Sequence, residues 1–377
     1  MDFTQERKRF IDHMDYLQSM SVQEQTLWKK YKEIKSMKIQ SRMDDFEGYE
    51  DVIWKPTDIN NVEQTLQEID NLQPRVYAAG DQSEWNFFRR MISTMEYNSN
   101  VGRCRKYWVM DDVTEKILGV ISLGSDVPSL AVRDQYIGWT HDNRFKDGKL
   151  RNVAIGTSIV PTQPLGFNFL GGKLIASLAT SSTVREDWEA HYGDVLVGVT
   201  TTSLYGKNSM YCGIPHWKVL GESAGKISIK PDDDVYRVWL NDIRVNDREL
   251  YNKCILNTNG TVKSGPKQNL LRQIFKKVGV RPTDYNHGFM RGVFFANIYD
   301  NGCDFLRGEI DETDLVMKQK FIDDYDYTVS WWKRKAKNRY QSVVKNNRVN
   351  NDTLYYKDVS QMDWESVKEK YLGDVGR

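Results

Sequence analysis

The sequence carries almost no net charge: 53 lysine and arginine residues face 52 aspartate and glutamate residues, which leaves +1 over 377 residues. Without an overall basic field, any binding to nucleic acid must come from a local patch. Cysteine and histidine are scarce, with four and five residues. The cysteines show no Cys-x-x-Cys spacing and the histidines form no His-x-x-x-His or His-x-Glu pattern, so we expect no metal site.

Long apolar runs are missing as well. No stretch approaches the roughly 20 apolar residues that cross a membrane, and the N-terminal segment has no apolar signal region. The sequence therefore predicts a protein without a membrane partner, in the cytoplasm (of the host cell, if the protein is phage-encoded). Aromatic residues, in contrast, are abundant: 11 Trp and 20 Tyr contribute to an aromatic content of 12%. Such side chains fill cores or stack on bases.

Hydrophobic spacing predicts the fold class. The first forty residues are charged with apolar residues at helical spacing, whereas from Pro74 onward short strands alternate with helices. This predicts an α/β or α+β fold in which a central mixed sheet is flanked by N- and C-terminal helical segments. The predicted regions are an N-terminal helical region (1–73), a core (74–230), an α+β extension (231–310) and a C-terminal basic helical region (311–377).

Individual elements can be predicted within these regions. Residues 107–110 and 117–123 are expected to form a hairpin, and 171–178 a helix. Further strands are expected at 153–160, 195–202, 235–240 and 292–299, and a basic helix at 270–278.

A basic stretch near the C-terminus is the clearest charge feature. No acidic residue occurs from Val329 to Asn350, and aromatic residues interleave with the basic ones. Phosphate neutralisation combined with base stacking requires this combination, so we predict a helix that contacts DNA. The alternative is that Trp331 and Trp332 dock the helix on the protein and leave its lysines in water. The predicted nucleic-acid-binding residues are Lys333, Arg334, Lys335, Lys337 and Arg339.

Short motifs follow one another through the central third of the chain. They include Gly119-Val120-Ile121-Ser122-Leu123, Arg133-Asp134, Ile137-Gly138-Trp139, Asn168, Asp187-Trp188-Glu189 with Tyr192-Gly193, Trp217 and Leu220-Gly221-Glu222. In these motifs the chain resembles the family of the Druantia anti-phage system protein A, which is also met in phages and mobile elements. The resemblance implies a protein acting on or near DNA. The chain departs from the family pattern at Val199-Thr200-Thr201 and Ser203, where acidic residues are expected.

The same stretch resembles the second half of a GNAT-like (N-acetyltransferase) fold. There a strand leads to a glycine-containing turn and a helix whose N-terminal N–H groups hold an acyl-carrier pyrophosphate, and a second strand follows. The corresponding parts here are 153–160, 166–178, 195–202 and 209–225. The usual Arg/Gln-x-x-Gly-x-Gly/Ala pattern is met at Gln163 and Gly166 but not at its final Gly/Ala position, where Asn168 stands, and the cofactor stays unknown. Mom-like phage proteins, which modify adenine in DNA, share this fold.

These resemblances and the residue types suggest a candidate site. Asp134 would serve as an acid/base group, and the GNAT-like resemblance makes Tyr211 a general acid. Ordinary alternatives are an Arg133–Asp134 pair that forms a salt bridge at a strand end, core tryptophans and a solvated Lys173. The predicted substrate- or cofactor-binding residues are Arg133, Trp139, Gly166, Asn168, Gly171, Gly172, Lys173 and Trp217.

Two functions follow from this pattern. The first is a base-modifying transferase acting on DNA, and the second is a non-enzymatic DNA-binding or structural adaptor on a degenerate transferase fold. An open cleft lined by Arg133, Asn168 and Tyr211 would favour the enzyme, whereas a filled cleft would favour the adaptor. The terminal helices could also bind a protein partner. A nuclease is disfavoured because no metal-binding carboxylate constellation is visible.

Overall fold

The computed structural model describes residues 3–35, 48–97, 102–206, 209–223, 229–263, 266–286, 290–322, 324–356 and 358–373. The chain divides into two compact units. The smaller unit comprises Met1–Leu27, Ala224–Met290 and Leu372–Arg377, and the larger comprises Trp28–Ser223 and Arg291–Tyr371.

The larger unit is built on a mixed sheet with the strand order β1-β2-β3-β4-β5-β7-β6. Its strands are β1 (Pro74–Ala78), β2 (Cys104–Asp111), β3 (Ile117–Ser125), β4 (Val153–Pro161), β5 (Gly198–Ser203), β6 (Trp217–Glu222) and β7 (Gly292–Asn297). Neighbouring strands are antiparallel except for β4 and β5, which run parallel.

The helices surround this sheet and build the smaller unit. They are α1 (Phe3–Ser19), α2 (Val22–Lys35), α3 (Tyr49–Val52), α4 (Val62–Asn71), α5 (Gln82–Ile92), α6 (Ala131–Ile137), α7 (His141–Phe145), α8 (Leu165–Asn168), α9 (Gly171–Leu178), α10 (Ser182–Tyr192), α11 (Asp233–Asn246), α12 (Arg248–Ile255), α13 (Pro266–Lys277), α14 (Gly302–Leu306), α15 (Asp324–Lys345) and α16 (Trp364–Leu372). Short 3₁₀ turns span Lys149–Asn152, Pro282–Tyr285, Glu312–Asp314, Gln319–Phe321 and Val359–Gln361.

The parallel pair sets the geometry of the centre. Parallel neighbours need a crossover connection, and here α8, α9 and α10 supply it. The two strands pair only from Val153 to Ile155 against Gly198 to Thr200. Both continue beyond that point, β4 to Pro161 and β5 to Ser203. The sheet therefore opens between β4 and β5 towards their C-terminal ends.

Helix α15 closes the core over α9. The apolar face of α9, with Leu174 and Ile175, is fully buried. Trp332 and Tyr340 of α15 are fully buried as well, and their polar atoms donate to backbone carbonyls: Trp332 Nε1 to Phe169 O at 2.9 Å and Tyr340 Oη to Ile59 O at 2.6 Å. Because Trp332 and Tyr340 are used for docking, they are not available to stack on bases.

The smaller unit corrects one predicted element. Residues 235–240 were expected to form a strand, but they lie within α11, Asp233–Asn246. Trp239 and Ile243 are buried one helical turn apart, and Trp239 packs edge-on against Phe10 of α1 with ring centroids 5.7 Å apart. Asp233 and Asp234 lie in the first turn, where carboxylates favour a helix. The apparent alternation was a helical face.

The predicted mixed α/β fold with flanking helices is confirmed. The expected hairpin, the strand at 153–160 and the helix at 171–178 are all present, while β5 begins at Gly198, three residues later than expected. The four predicted region boundaries stay a prediction. Among the described residues, no helix is long and apolar enough to cross a membrane.

Gly119 offers a test of how closely α9 packs on the sheet. A Cβ at this position would lie 2.6 Å from Val160 O and 2.7 Å from Ile175 Cδ1, whereas one at Gly80 would meet nothing within 4 Å. We expect Gly119→Ala to lower the free energy of unfolding by about 1–3 kcal/mol through overpacking. Gly80→Ala should be neutral or slightly stabilising. Urea unfolding measures both, and equal effects would contradict the packing described.

Candidate functional site

Arg133 is the centre of a buried ion network. Its side chain is 0% exposed, and Nη1 lies 2.8 Å from Asp126 Oδ2 while Nη2 lies 2.6 Å from Asp134 Oδ1. Asp134 also accepts from Trp139 Nε1 at 3.0 Å and pairs with Arg144 at 2.6 Å. Two cations therefore face two carboxylates, so the charges balance within the network. This is the salt-bridged alternative, formed on a helix rather than at the predicted strand end.

Local sequence explains how these groups meet. Arg133 and Asp134 lie in α6, which ends at Gly138 in the left-handed conformation with φ 77°. Glycine adopts this conformation without a Cβ penalty. The turn brings Trp139 back over the helix, where its ring lies 5.2 Å from the Arg133 guanidinium. The motif Arg133-Asp134…Gly138-Trp139 thus specifies a corner, that is, helix α6 followed by a tight turn that returns Trp139 to the Arg133–Asp134 pair.

The two carboxylates respond differently to their surroundings. Burial raises the pKa of Asp126, although Arg133 and the Thr200 hydroxyl oppose it. Burial also acts to raise the pKa of Asp134, but the hydrogen bond from Trp139 and the Arg133 guanidinium outweigh it and lower that pKa. Asp134 is therefore held as a carboxylate and is poorly suited to accept a proton at neutral pH.

The loop before α9 is filled by a later part of the chain. Asn168 is fully buried; its Nδ2 donates to Asn350 O at 2.6 Å, and its Oδ1 accepts from Asn350 N at 3.0 Å. Gln163 Nε2 donates to Tyr355 Oη at 2.5 Å. A Cβ on Gly166 would collide with Gln163 Nε2 at 2.3 Å. The loop expected to bind a pyrophosphate therefore contacts residues 350–355 instead, through Gln163 and Asn168.

The start of α9 is similarly occupied. A Cβ on Gly171 would meet Leu165, and one on Gly172 would meet the Met210 sulfur at 2.8 Å, so these glycines serve close packing. Lys173 Nζ donates to Met210 O at 3.1 Å and to Cys212 O. Burial lowers the pKa of Lys173, and nearby Lys335 adds to this. Lys173 is therefore half-buried and engaged, not simply solvated.

Tyr211 and Trp217 belong to the core. Tyr211 packs against Trp217 and Phe294, with ring centroids 5.2 Å apart in both cases, and burial raises its pKa to about 12. Trp217 Nε1 donates to Ala176 O at 3.0 Å. Trp217 and Trp139 are both 5% exposed, so their rings lie in the core and present no open face on which a base could stack.

The sheet separates the two residues predicted to be catalytic. Thr200 and Thr201 are consecutive in β5, so their side chains point to opposite faces. Thr200 Oγ1 donates to Asp126 Oδ2 at 2.6 Å, within the Arg133 network, whereas Thr201 Oγ1 lies within hydrogen-bond distance of Tyr211 Oη, at 3.4 Å. Asp134 and Tyr211 therefore cannot act on one bound group. Arg133, Asn168 and Tyr211 are all buried, so these three residues do not line the open cleft that would have favoured the enzyme.

The five predicted DNA-binding residues fall into two groups. Arg334 and Lys335 are exposed. Lys333 Nζ donates to Asp70 O at 2.6 Å, Lys337 Nζ pairs with Asp70 Oδ1 at 2.7 Å, and the Arg339 guanidinium lies 5.2 Å from the Phe167 ring. These latter three dock α15, which leaves two of the five pointing outward.

Two cavities lie largely apart from the predicted site residues: the lining of one contains none of them, and the lining of the other contains only Trp217. One, of about 430 Å³, is lined by residues such as Glu50, Trp54, Glu68 and Lys116 and contains none of the predicted site residues. The other, of about 340 Å³, gathers Lys218, Lys318 and Lys320. Sequence reasoning missed these lysines because about a hundred positions separate the first from the other two. Within the described residues, no group of three or more His, Cys, Asp or Glu side chains could hold a metal.

Asp126→Asn tests the buried network. It leaves one positive charge in excess at a buried site, so we expect a loss of about 3–5 kcal/mol in the free energy of unfolding. Adding Arg133→Met restores charge balance and should recover part of this loss, since Asp134 keeps Arg144. Asp142→Asn is the matched control: its pair with Lys146 is exposed and worth about 0.2–1 kcal/mol. Similar losses for Asp126→Asn and Asp142→Asn in urea unfolding would refute the network's role.

Comparisons with known proteins identify the family. A curated relative, the Druantia protein DruA of Escherichia coli (strain UMEA 4076-1), is 28% identical over 248 residues, which cover 60% of this chain and 59% of the relative. This chain thus matches about three-fifths of that relative's length. No solved structure matches. The family model described as Druantia protein DruA matches residues 21–308. The resemblance seen in the motifs is confirmed over a longer stretch, and the chain belongs to the Druantia DruA family of anti-phage defence proteins.

Proposed function

We propose that the chain contributes to defence as a DNA-contacting adaptor that uses a GNAT-like core as a scaffold. The GNAT-like assignment rests on the unit β4, turn, α9 and β5, in which β5 returns parallel to β4 and the two strands diverge after Ile155. That is the strand–turn–helix–strand order of the resemblance. Fold likeness alone does not establish a reaction.

The filled loop is the observation that favours an adaptor over a transferase. Holding a pyrophosphate at a helix N-terminus requires open backbone N–H groups. Here Asn168, which stands at the final Gly/Ala position of the transferase pattern, binds the backbone N–H and C=O of Asn350. Thr201 also bonds to Gly156 O across the opening between β5 and β4, at 3.3 Å. Both features occupy the space that a donor would need.

Like charges gathered around α15 support contact with DNA. Arg339 and Arg348 lie close enough for Arg348 to add to the effect of burial in lowering the pKa of Arg339. Lys335 acts in the same way on Lys173. Lys345 and Arg348 are exposed. Since no carboxylate occurs from 329 to 350, this repulsion is best offset by an external polyanion, and phosphates are the natural counter-charge.

Salt dependence of DNA binding tests this proposal. Each lost phosphate contact should reduce the slope of log K against log salt by about 0.9 on duplex DNA, so four lost contacts give up to ~3.6. The control, Lys333→Gln with Lys337→Gln, removes amines that bond to Asp70 and should leave the slope nearly unchanged. The test variant changes four exposed residues to glutamine: Arg334, Lys335, Lys345 and Arg348. Absence of wild-type binding at low salt would reject DNA contact.

A base-modifying transferase is the second candidate, favoured by the parallel β4–β5 unit and by a protonated Tyr211 phenol near it. Wild-type protein would be incubated with duplex DNA and acetyl-coenzyme A, and the digested DNA analysed by mass spectrometry. A transferase should yield a new nucleoside mass, and Tyr211→Phe should reduce the yield by about 10²–10⁴. Tyr205→Phe, at a 70% exposed ring, should have no effect. If the protein binds DNA but yields no modified nucleoside, the transferase is rejected and the adaptor remains the proposed function.

A further inference from the structure

The cavity of about 340 Å³ lies where β6 begins and β7 ends, at the edge of the sheet. Its lining includes Tyr136, His216, Lys218, Asn297, Lys318 and Lys320. Asn297 pairs with Gly198 at the beginning of β5, whereas β4 and β5 diverge towards the opposite end. The cavity is therefore separate from the loop before α9.

The three ammonium groups of the cavity are held in place by the chain. Lys318 Nζ donates to Asn297 O at 2.8 Å, and Lys320 Nζ donates to Pro215 O at 3.3 Å. Lys218 Nζ lies 4.4 Å from the centroid of the Tyr136 ring. An ammonium group has three donors, so each of the two hydrogen-bonded lysines keeps donors for a ligand. Fixed amines bind an anion with less loss of side-chain entropy than mobile ones.

Positive charge in the cavity is not balanced by its lining, which contains no carboxylate. Burial lowers the pKa of Lys318, with Lys218 adding to this, and burial together with Lys318 lowers the pKa of Lys320. Asp300, outside the lining, opposes both shifts. Burial and Lys320 lower the pKa of His216 to about 3, so its imidazole is neutral. An anion placed among the lysines would relieve this repulsion.

We propose that this cavity binds a phosphate monoester or free phosphate as a dianion. Lysines bind phosphate as point charges, and a phosphate monoester carries about −1.5 to −2 charges at pH 7, a better match to three lysines than one carboxylate. The volume is at the lower end of the range of roughly 300–1,000 Å³ for small-molecule sites. The phosphate dianion is shared by inorganic phosphate and a nucleoside 5′-monophosphate, and titration separates these two sources.

Isothermal titration calorimetry on the full chain, in phosphate-free buffer, tests the site with inorganic phosphate, adenosine 5′-monophosphate and adenosine. We expect saturable one-to-one binding of phosphate, the monophosphate or both, and none of adenosine. Binding of the monophosphate alone assigns the site to an ester; binding of phosphate alone, or of both with similar affinity, assigns it to the dianion itself.

Variants decide whether the lysines are responsible. Lys318→Gln and, separately, Lys218→Gln should each raise Kd at least about tenfold. Lys146→Gln, at an exposed lysine outside the cavity, should leave Kd unchanged. Because Lys218 is exposed, its variant should fold even if Lys318→Gln does not. The proposal is overturned if neither phosphate ligand binds below about 10 mM, or if Lys218→Gln binds as tightly as the wild type.

Discussion

The centre of the larger unit depends on the buried guanidinium of Arg133. An isolated guanidinium in a protein interior is expensive, so Arg133 requires both Asp126 and Asp134. Those partners in turn recruit Trp139, Arg144 and Thr200 through hydrogen bonds or ion pairing. One charge thereby ties α6, the turn after it and a central strand together. The family motif that carries these residues is best understood as the specification of this corner.

The sheet also determines which residues can cooperate. Because consecutive side chains of β5 point to opposite faces, Thr200 serves the ion network while Thr201 serves Tyr211. Residues that are close in sequence thus belong to separate environments. Groups that are far apart in sequence, such as Lys218 and Lys318, share one cavity. The cavity that these lysines share lies at an edge of the sheet rather than at its centre.

Much of the fold could be predicted from local pattern. Apolar runs and turn residues identified β2, β3, β4, β5, β7 and α9, because strand and helix periodicity are properties of neighbouring residues. The edge strand β6 was not predicted. The prediction of a strand at 235–240 was wrong because the sequence there fits two patterns. Val235 to Leu240 alternate as in a strand, but Trp239 and Ile243 also have the spacing of one helical face. The candidate site was harder to predict. Whether the loop before α9 is open or filled depends on contacts with distant residues such as Asn350, and no local sequence pattern reveals those contacts. Trp139 and Trp217 illustrate the same difficulty: burial depends on tertiary contacts.

The contact between Asn168 and Asn350 joins positions 182 residues apart. Protein chains are synthesised from the N-terminus, and domains begin to fold during synthesis. The strands on either side of α9 are therefore complete well before residues 350–355 leave the ribosome. Until residue 350 has been synthesised, the side-chain amide of Asn168 lacks this partner, so the native contact that fills the loop at 163–168 forms only after the central strands have been made.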